Sequence, residues 1–154
     1  MSLLLPFLIG FLAGLRSLTP PAAVSWAAHL GFLKLQGFLG LMGATPVVAL
    51  LTVAALAELV ADKSTRIPNR TSTPGLVARI LTGGGTGACI AAASGQGLIT
   101  GMALGAVGGI AGAFAGYHAR QRLVRALNVP DFPVALLEDL VAVGGAIGIV
   151  ATFA

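Results

Sequence analysis

Seven side chains sit where an apolar chain has least use for them. Arg16, Glu58, Asp62, Arg79, Glu138 and Asp139 are charged and Thr19 is polar, yet all lie inside or at the edge of long apolar stretches. A charge near the middle of a bilayer costs roughly 3 kcal/mol on insertion scales, and it must pair or face water. Two arginines and four carboxylates have two uses. They form internal ion pairs that fix helix register, or they line a path for an ion, a proton or a small charged metabolite. Glu138 and Asp139 are neighbours, so on a helix they point about 100° apart and cannot both serve one partner. The sign of a ligand stays open. Arg16 beside a helix N-terminus favours an anion, whereas four carboxylates favour a cation or a proton relay.

Other chemistries find little support. The single cysteine, Cys89, excludes an internal disulfide framework and a cysteine-based metal site. His29 and His118 read as polar interface residues. The glycines at 83–87 lack the Lys-Ser/Thr element of a phosphate loop, and no HExxH or GxSxG motif is present. No metal, cofactor or enzymatic activity is expected, and a lipid-modifying enzyme is a distant third reading. Nucleic acid is not expected as a partner, because no basic face with interleaved aromatics appears.

The elements that must hold these residues follow from composition. The chain has 154 residues, 56% hydrophobic and only 9% charged, with a mean hydropathy of +0.96. Soluble domains run near 25% charged, so a single integral membrane domain over residues 1–154 is expected, with the lipid bilayer as its surroundings. At ~20 residues per span, the expectation is an all-α polytopic bundle of about five transmembrane helices, near residues 3–33, 46–61, 75–93, 98–117 and 132–153. The first is too long for one span and is interrupted at 16–21, where Pro20 and Pro21 each remove a backbone donor. It is expected to be a broken helix, with Thr19 capping the second half and Pro20 at its first position. Residues 34–45 read as an interfacial loop.

Basic residues set the orientation. With five crossings and a cytoplasmic N-terminus, Lys63, Arg66, Arg70, Arg120, Arg122 and Arg125 all fall in loops on one side, and only Lys34 falls opposite. Such a pattern places loops 63–74 and 118–131 in the cytoplasm. Treating residues 3–16 as a separate re-entrant half-helix keeps the two basic loops together and moves only the N-terminus. Gly101, Gly105 and Gly109 form one row with small-xxx-small spacing, and Gly108, Gly112 and Gly116 form another. Such rows favour close helix contact and suggest a homo-oligomer. A possible internal repeat pairs Arg16-Ser17-Leu18-Thr19 with Arg79-Ile80-Leu81-Thr82, each followed by a helix-disrupting tract of prolines or glycines.

The chain resembles a family of small integral membrane proteins catalogued as domain of unknown function 4126. The resemblance lies in Gly14-Leu15-Arg16-Ser17-Leu18-Thr19-Pro20, in Glu58-Leu59-Val60-Ala61-Asp62-Lys63 with Pro68, in Arg79 and its glycine tract, and in Glu138-Asp139. It implies a multi-pass protein of the bacterial inner membrane and carries no function with it. The residues themselves point to a small transporter or channel for an ion or small charged metabolite, built on the seven side chains. The alternative is a non-transporting membrane subunit or lipid- or protein-binding scaffold in which the same charges are structural ion pairs.

Overall fold

Two adjacent prolines at 20 and 21 stop the first apolar segment from running as one helix. Their missing N–H groups would have bonded the carbonyls of Arg16 and Ser17, and the rings clash with those same carbonyls. In the computed structural model, which describes residues 3–61, 72–128 and 130–154, the segment is accordingly two helices. Helix α1 spans Leu4–Leu15 and α2 spans Thr19–His29. A 3₁₀ helix, Gly37–Gly43, follows and meets α3 (Thr45–Ala61) at a 61° bend. Then come α4 (Thr73–Ala93), α5 (Leu98–Leu127) and α6 (Asp131–Ala151). The described residues contain no strand.

Specific contacts fix the helix directions. On α5, Gly101 meets Gly87, Gly105 meets Gly83, and Gly109 meets the Arg79 carbonyl, so α4 and α5 are antiparallel. Gly10 lies against Gly105 and Gly14 against Gly109, so α1 runs with α5 and against α4. Arg16 pairs with Asp139 while Gly145 packs on Leu12, which makes α6 antiparallel to α1. Leu18 bonds Glu58 and Trp26 bonds Thr52, which makes α3 antiparallel to α2. Pro21 faces one cavity with Cys89, ten residues along α4 from Arg79, whose side chain bonds Gly14. The chain therefore turns back at 16–18, and α1 and α2 form a helical hairpin with Arg16 at its tip. Ile9 and Leu12 of the first arm and Val24 and Ala27 of the second share one core with Cys89, Ile90, Ala146 and Val150.

Three expectations change here. Among the described residues, three helices are long and apolar enough to cross a membrane, or four if the 3₁₀ helix and α3 count as one bent span. Five is not reached, because α1 and α2, at 12 and 11 residues, extend only about 18 and 16 Å and double back. The stretch 34–45 is not plain loop but contains the 3₁₀ helix. Glycines 83–85 do not break α4, which is continuous through them. The parallel between Arg16–Thr19 and Arg79–Thr82 therefore stops at the sequence pattern.

The glycine rows of α5 are spent within the chain. A Cβ at Gly105 would stand 2.1 Å from the Gly83 carbonyl oxygen, and one at Gly112 would stand 2.0 Å from that of Phe11. The first row lets α4 approach and the second lets α1 approach, the close backbone packing that small residues permit. These rows thus do not present free faces for a second copy.

Candidate functional site

The hairpin tip leaves backbone groups that a continuous helix would have paired. Leu18 N–H would have bonded the Gly14 carbonyl, four residues back. Instead each half of that lost bond is taken by a side chain from another helix. Arg79 of α4 donates Nε–H to the Gly14 carbonyl at 2.9 Å. Glu58 of α3 accepts Leu18 N–H at 2.8 Å through one oxygen. Its other oxygen accepts Ser17 N–H at 2.8 Å and Ser17 Oγ–H at 2.6 Å. A carboxylate on two N–H groups at the start of α2 is a cap supplied from outside the helix, and it suits the positive end of the helix dipole.

Thr19 was expected to do that work. It does not: Leu18 is the flanking residue, Thr19 and Pro20 are the first two helical positions, and no side chain of α2 caps its own start. A capping Thr19 would accept from residue 21 or 22, but Pro21 has no N–H and the Ala22 N–H bonds the Leu18 carbonyl at 3.1 Å. Its side chain is buried at 7% exposure, and its Oγ1 has no hydrogen-bond partner among the described residues.

Arg16 is the largest of the fully buried side chains, at 1% exposure. Its guanidinium bonds Asp139 of α6, which is 13% exposed. Glu138, one residue earlier, faces another way, as the helical turn requires. Its Oε2 stands 3.6 Å from Arg120 Nη1, and Arg120 also pairs with Asp131 at the start of α6. Arg79 further donates to the Gly75 carbonyl at 2.9 Å, four residues back on its own helix. The structure thus brings Arg16, Glu58, Arg79 and Asp139 to the tip and places Glu138 with Arg120 beside it. Asp62 lies outside the described residues, as do Lys63, Arg66, Pro68 and Arg70.

Two contributors were missed from sequence. Ser17 gives both N–H and hydroxyl to Glu58, and its place beside Arg16 was the available signal. Arg120 was counted only as a topology marker, although its position within a turn or two of α6 in the chain made a pair with the α6 carboxylates accessible. Among the described residues no group of three or more His, Cys, Asp or Glu is placed to hold a metal ion.

The order Arg16, Glu58, Arg79, Asp139 along the chain therefore corresponds to one cluster in space. A family model described as Domain of unknown function (DUF4126) matches residues 3–152. The chain belongs to the DUF4126 family. No curated protein and no solved structure matches it. For this DUF4126 member the match takes in every element of the fold, from α1 to α6. Its apolar helices of span length are compatible with a membrane-embedded helical bundle.

Proposed function

We propose that the chain is a small multi-pass membrane transporter or channel whose polar pathway runs through the tip of the α1–α2 hairpin. One observation carries this reading: side chains from α3, α4 and α6 converge on the broken backbone at 14–18. Each hairpin arm is too short for the ~30 Å hydrocarbon core, so the hairpin is re-entrant and ends among charges part-way through. Irregular backbone at membrane depth is tolerated where it is buried in protein or lines a water-filled cavity. Half-helices meeting at charged groups are how many transport sites are built.

The cargo is an ion or small charged metabolite. Arg16, Glu58, Arg79 and Asp139 are the groups it would meet, with Thr19 at the start of α2 and Glu138 beside Arg120. Glu58 occupies the position where an anion would sit at a helix N-terminus, and its departure would expose that position. Asp62, three residues further along the chain than Leu59, completes the set read from sequence. No catalytic role and no cofactor is assigned. Residues 118–127 are not loop, as read from sequence, but the last turns of α5; the basic residues there and at 63–70 favour a cytoplasmic side for both segments in a bacterial inner-membrane protein, with four crossings and both termini on the far side.

A second reading has its own observation. Glu58 and Arg16 both find partners inside the chain, as they would in a non-transporting subunit held together by ion pairs. Flux decides between the two. Purified protein in proteoliposomes is screened against protons, alkali cations, halides and small carboxylates, with Asp139→Asn and Glu58→Gln alongside. Transport requires a flux above empty vesicles for at least one solute, lowered at least tenfold by Asp139→Asn. Flux equal to empty vesicles for every solute, from protein still helical by circular dichroism, would leave the second reading.

A further inference from the structure

The faces of α2, α3 and α6 that look toward one another line an open groove of about 480 Å³. It runs the length of α2 from Thr19 to Leu30 just past its end, about 16 Å along the helix axis. Its walls are alanine, leucine, isoleucine and valine, closed on α3 by Ala55 and Leu59 and on α6 by Val143 and Ile147. Ligand sites are of this kind: several hundred Å³, mostly apolar, with a few placed polar atoms. Of the groove's two hydroxyls, Thr52 Oγ1 accepts from Trp26 Nε1 and donates to the Val48 carbonyl, which leaves Thr19 Oγ1, buried and without a partner among the described residues. A buried hydroxyl left unpaired costs free energy that a ligand oxygen would recover.

The neighbouring charges decide the ligand's head. Arg16 and Arg79 are balanced by Glu58 and Asp139 at the tip. The α2 N–H groups that would attract an anion are already held by Glu58. We propose that this groove binds a neutral single-chain lipid with a terminal hydroxyl, its oxygen on Thr19 and its chain along α2. The site adjoins the charged tip and shares Thr19 with it, but it is read by lipid binding and stands whether or not solutes cross there.

Trp26 lines the groove and is the one tryptophan of the chain, so its fluorescence reports occupancy. Protein in lipid nanodiscs is titrated with 11-bromoundecanol, 1-bromoundecane and 11-bromoundecanoic acid, whose bromine quenches the indole. The expected result is saturable quenching by the bromoalcohol, half-complete at a concentration at least fivefold below that of the alkane. Thr19→Val should bring the alcohol to the alkane's curve. Ala23→Leu, which fills the groove and leaves the hydroxyl in place, should abolish saturation. Equal curves for alcohol and alkane in the unmodified protein would overturn the proposal, as would an alcohol preference that survives Thr19→Val. A bromoacid that binds as well as the alcohol would overturn the neutral head.

Discussion

Removing the Glu58 carboxylate should unlatch the hairpin from α3. In Glu58→Ala, two backbone N–H groups and one hydroxyl at the tip lose their acceptor at once. Hydrogen bonds inside membrane proteins average ~0.6 kcal/mol and reach ~1.7, so three of them give a loss of about 2–5 kcal/mol. Bonds to a charged acceptor lie at the upper end of the general range, which favours the larger figure. Glu58→Gln keeps one carbonyl oxygen and turns an NH₂ toward a donor, so about half that loss is expected. Two assays read it. Reversible unfolding in mixed micelles gives the stability change, and hydrogen exchange gives the protection of the Ser17 and Leu18 amides. Both amides should exchange at least tenfold faster in Glu58→Ala, while amides in the middle of α5 stay unchanged. A stability change under about 0.5 kcal/mol, the usual scatter of surface substitutions, together with unchanged exchange at Leu18, would refute the latch.

Further outcomes test the packing and the path of the chain. Asp139→Ala removes a carboxylate that pairs with the buried Arg16 and should cost about 3–5 kcal/mol, whereas Arg16→Met with Asp139→Leu should recover most of it; a double-mutant cycle in the same micelles checks this. Gly105→Ala would drive a Cβ to 2.1 Å from the Gly83 carbonyl and should destabilise by about 1–3 kcal/mol or more. Gly144→Ala, with nothing within 4 Å, should be neutral or gain up to ~1 kcal/mol of helix propensity, read by thermal unfolding. Tags at the two termini should report the same side of the membrane in accessibility labelling, opposite to the α3–α4 and α5–α6 connections; tags on opposite sides would restore an odd number of crossings.

Much of the tip was legible in the sequence because charge is so costly in an apolar chain. Arg16 and Asp139 had to find partners, and they found each other. The 100° between Glu138 and Asp139 had to send them to different partners, and it did. The prolines had to break the helix, and the chain breaks just before them. What composition could not carry was direction. A pair of short apolar helices joined at a break reads the same whether the chain continues or turns back, and only placements such as Pro21 facing one cavity with Thr82 and Cys89 distinguish the two. The acceptor for the broken backbone was equally hidden, because Glu58 lies forty residues from Leu18 and local spacing favoured Thr19. The glycine rows predicted close contact correctly in kind, but spacing does not say whether the partner is another helix of the same chain. Glycines 83–85 looked like a breaker in isolation, yet packing of α4 on α5 and α1 outweighs a propensity deficit of ~1 kcal/mol per glycine.

Access of water to the hairpin tip is the most direct test of a polar pathway there. Ser17→Cys in a Cys89→Ser background carries one thiol, at the tip, since the chain has a single native cysteine. A small charged methanethiosulfonate reagent is added to one side of sealed vesicles, then to the other. A pathway predicts modification from at least one side, within about a hundredfold of the rate for a cysteine on an exposed loop, and protection when Asp139 is also changed to leave the path blocked by a bulky Asp139→Trp. A thiol that stays unmodified from both sides, in protein that labels fully once unfolded, would contradict a pathway and leave the charges as internal ion pairs.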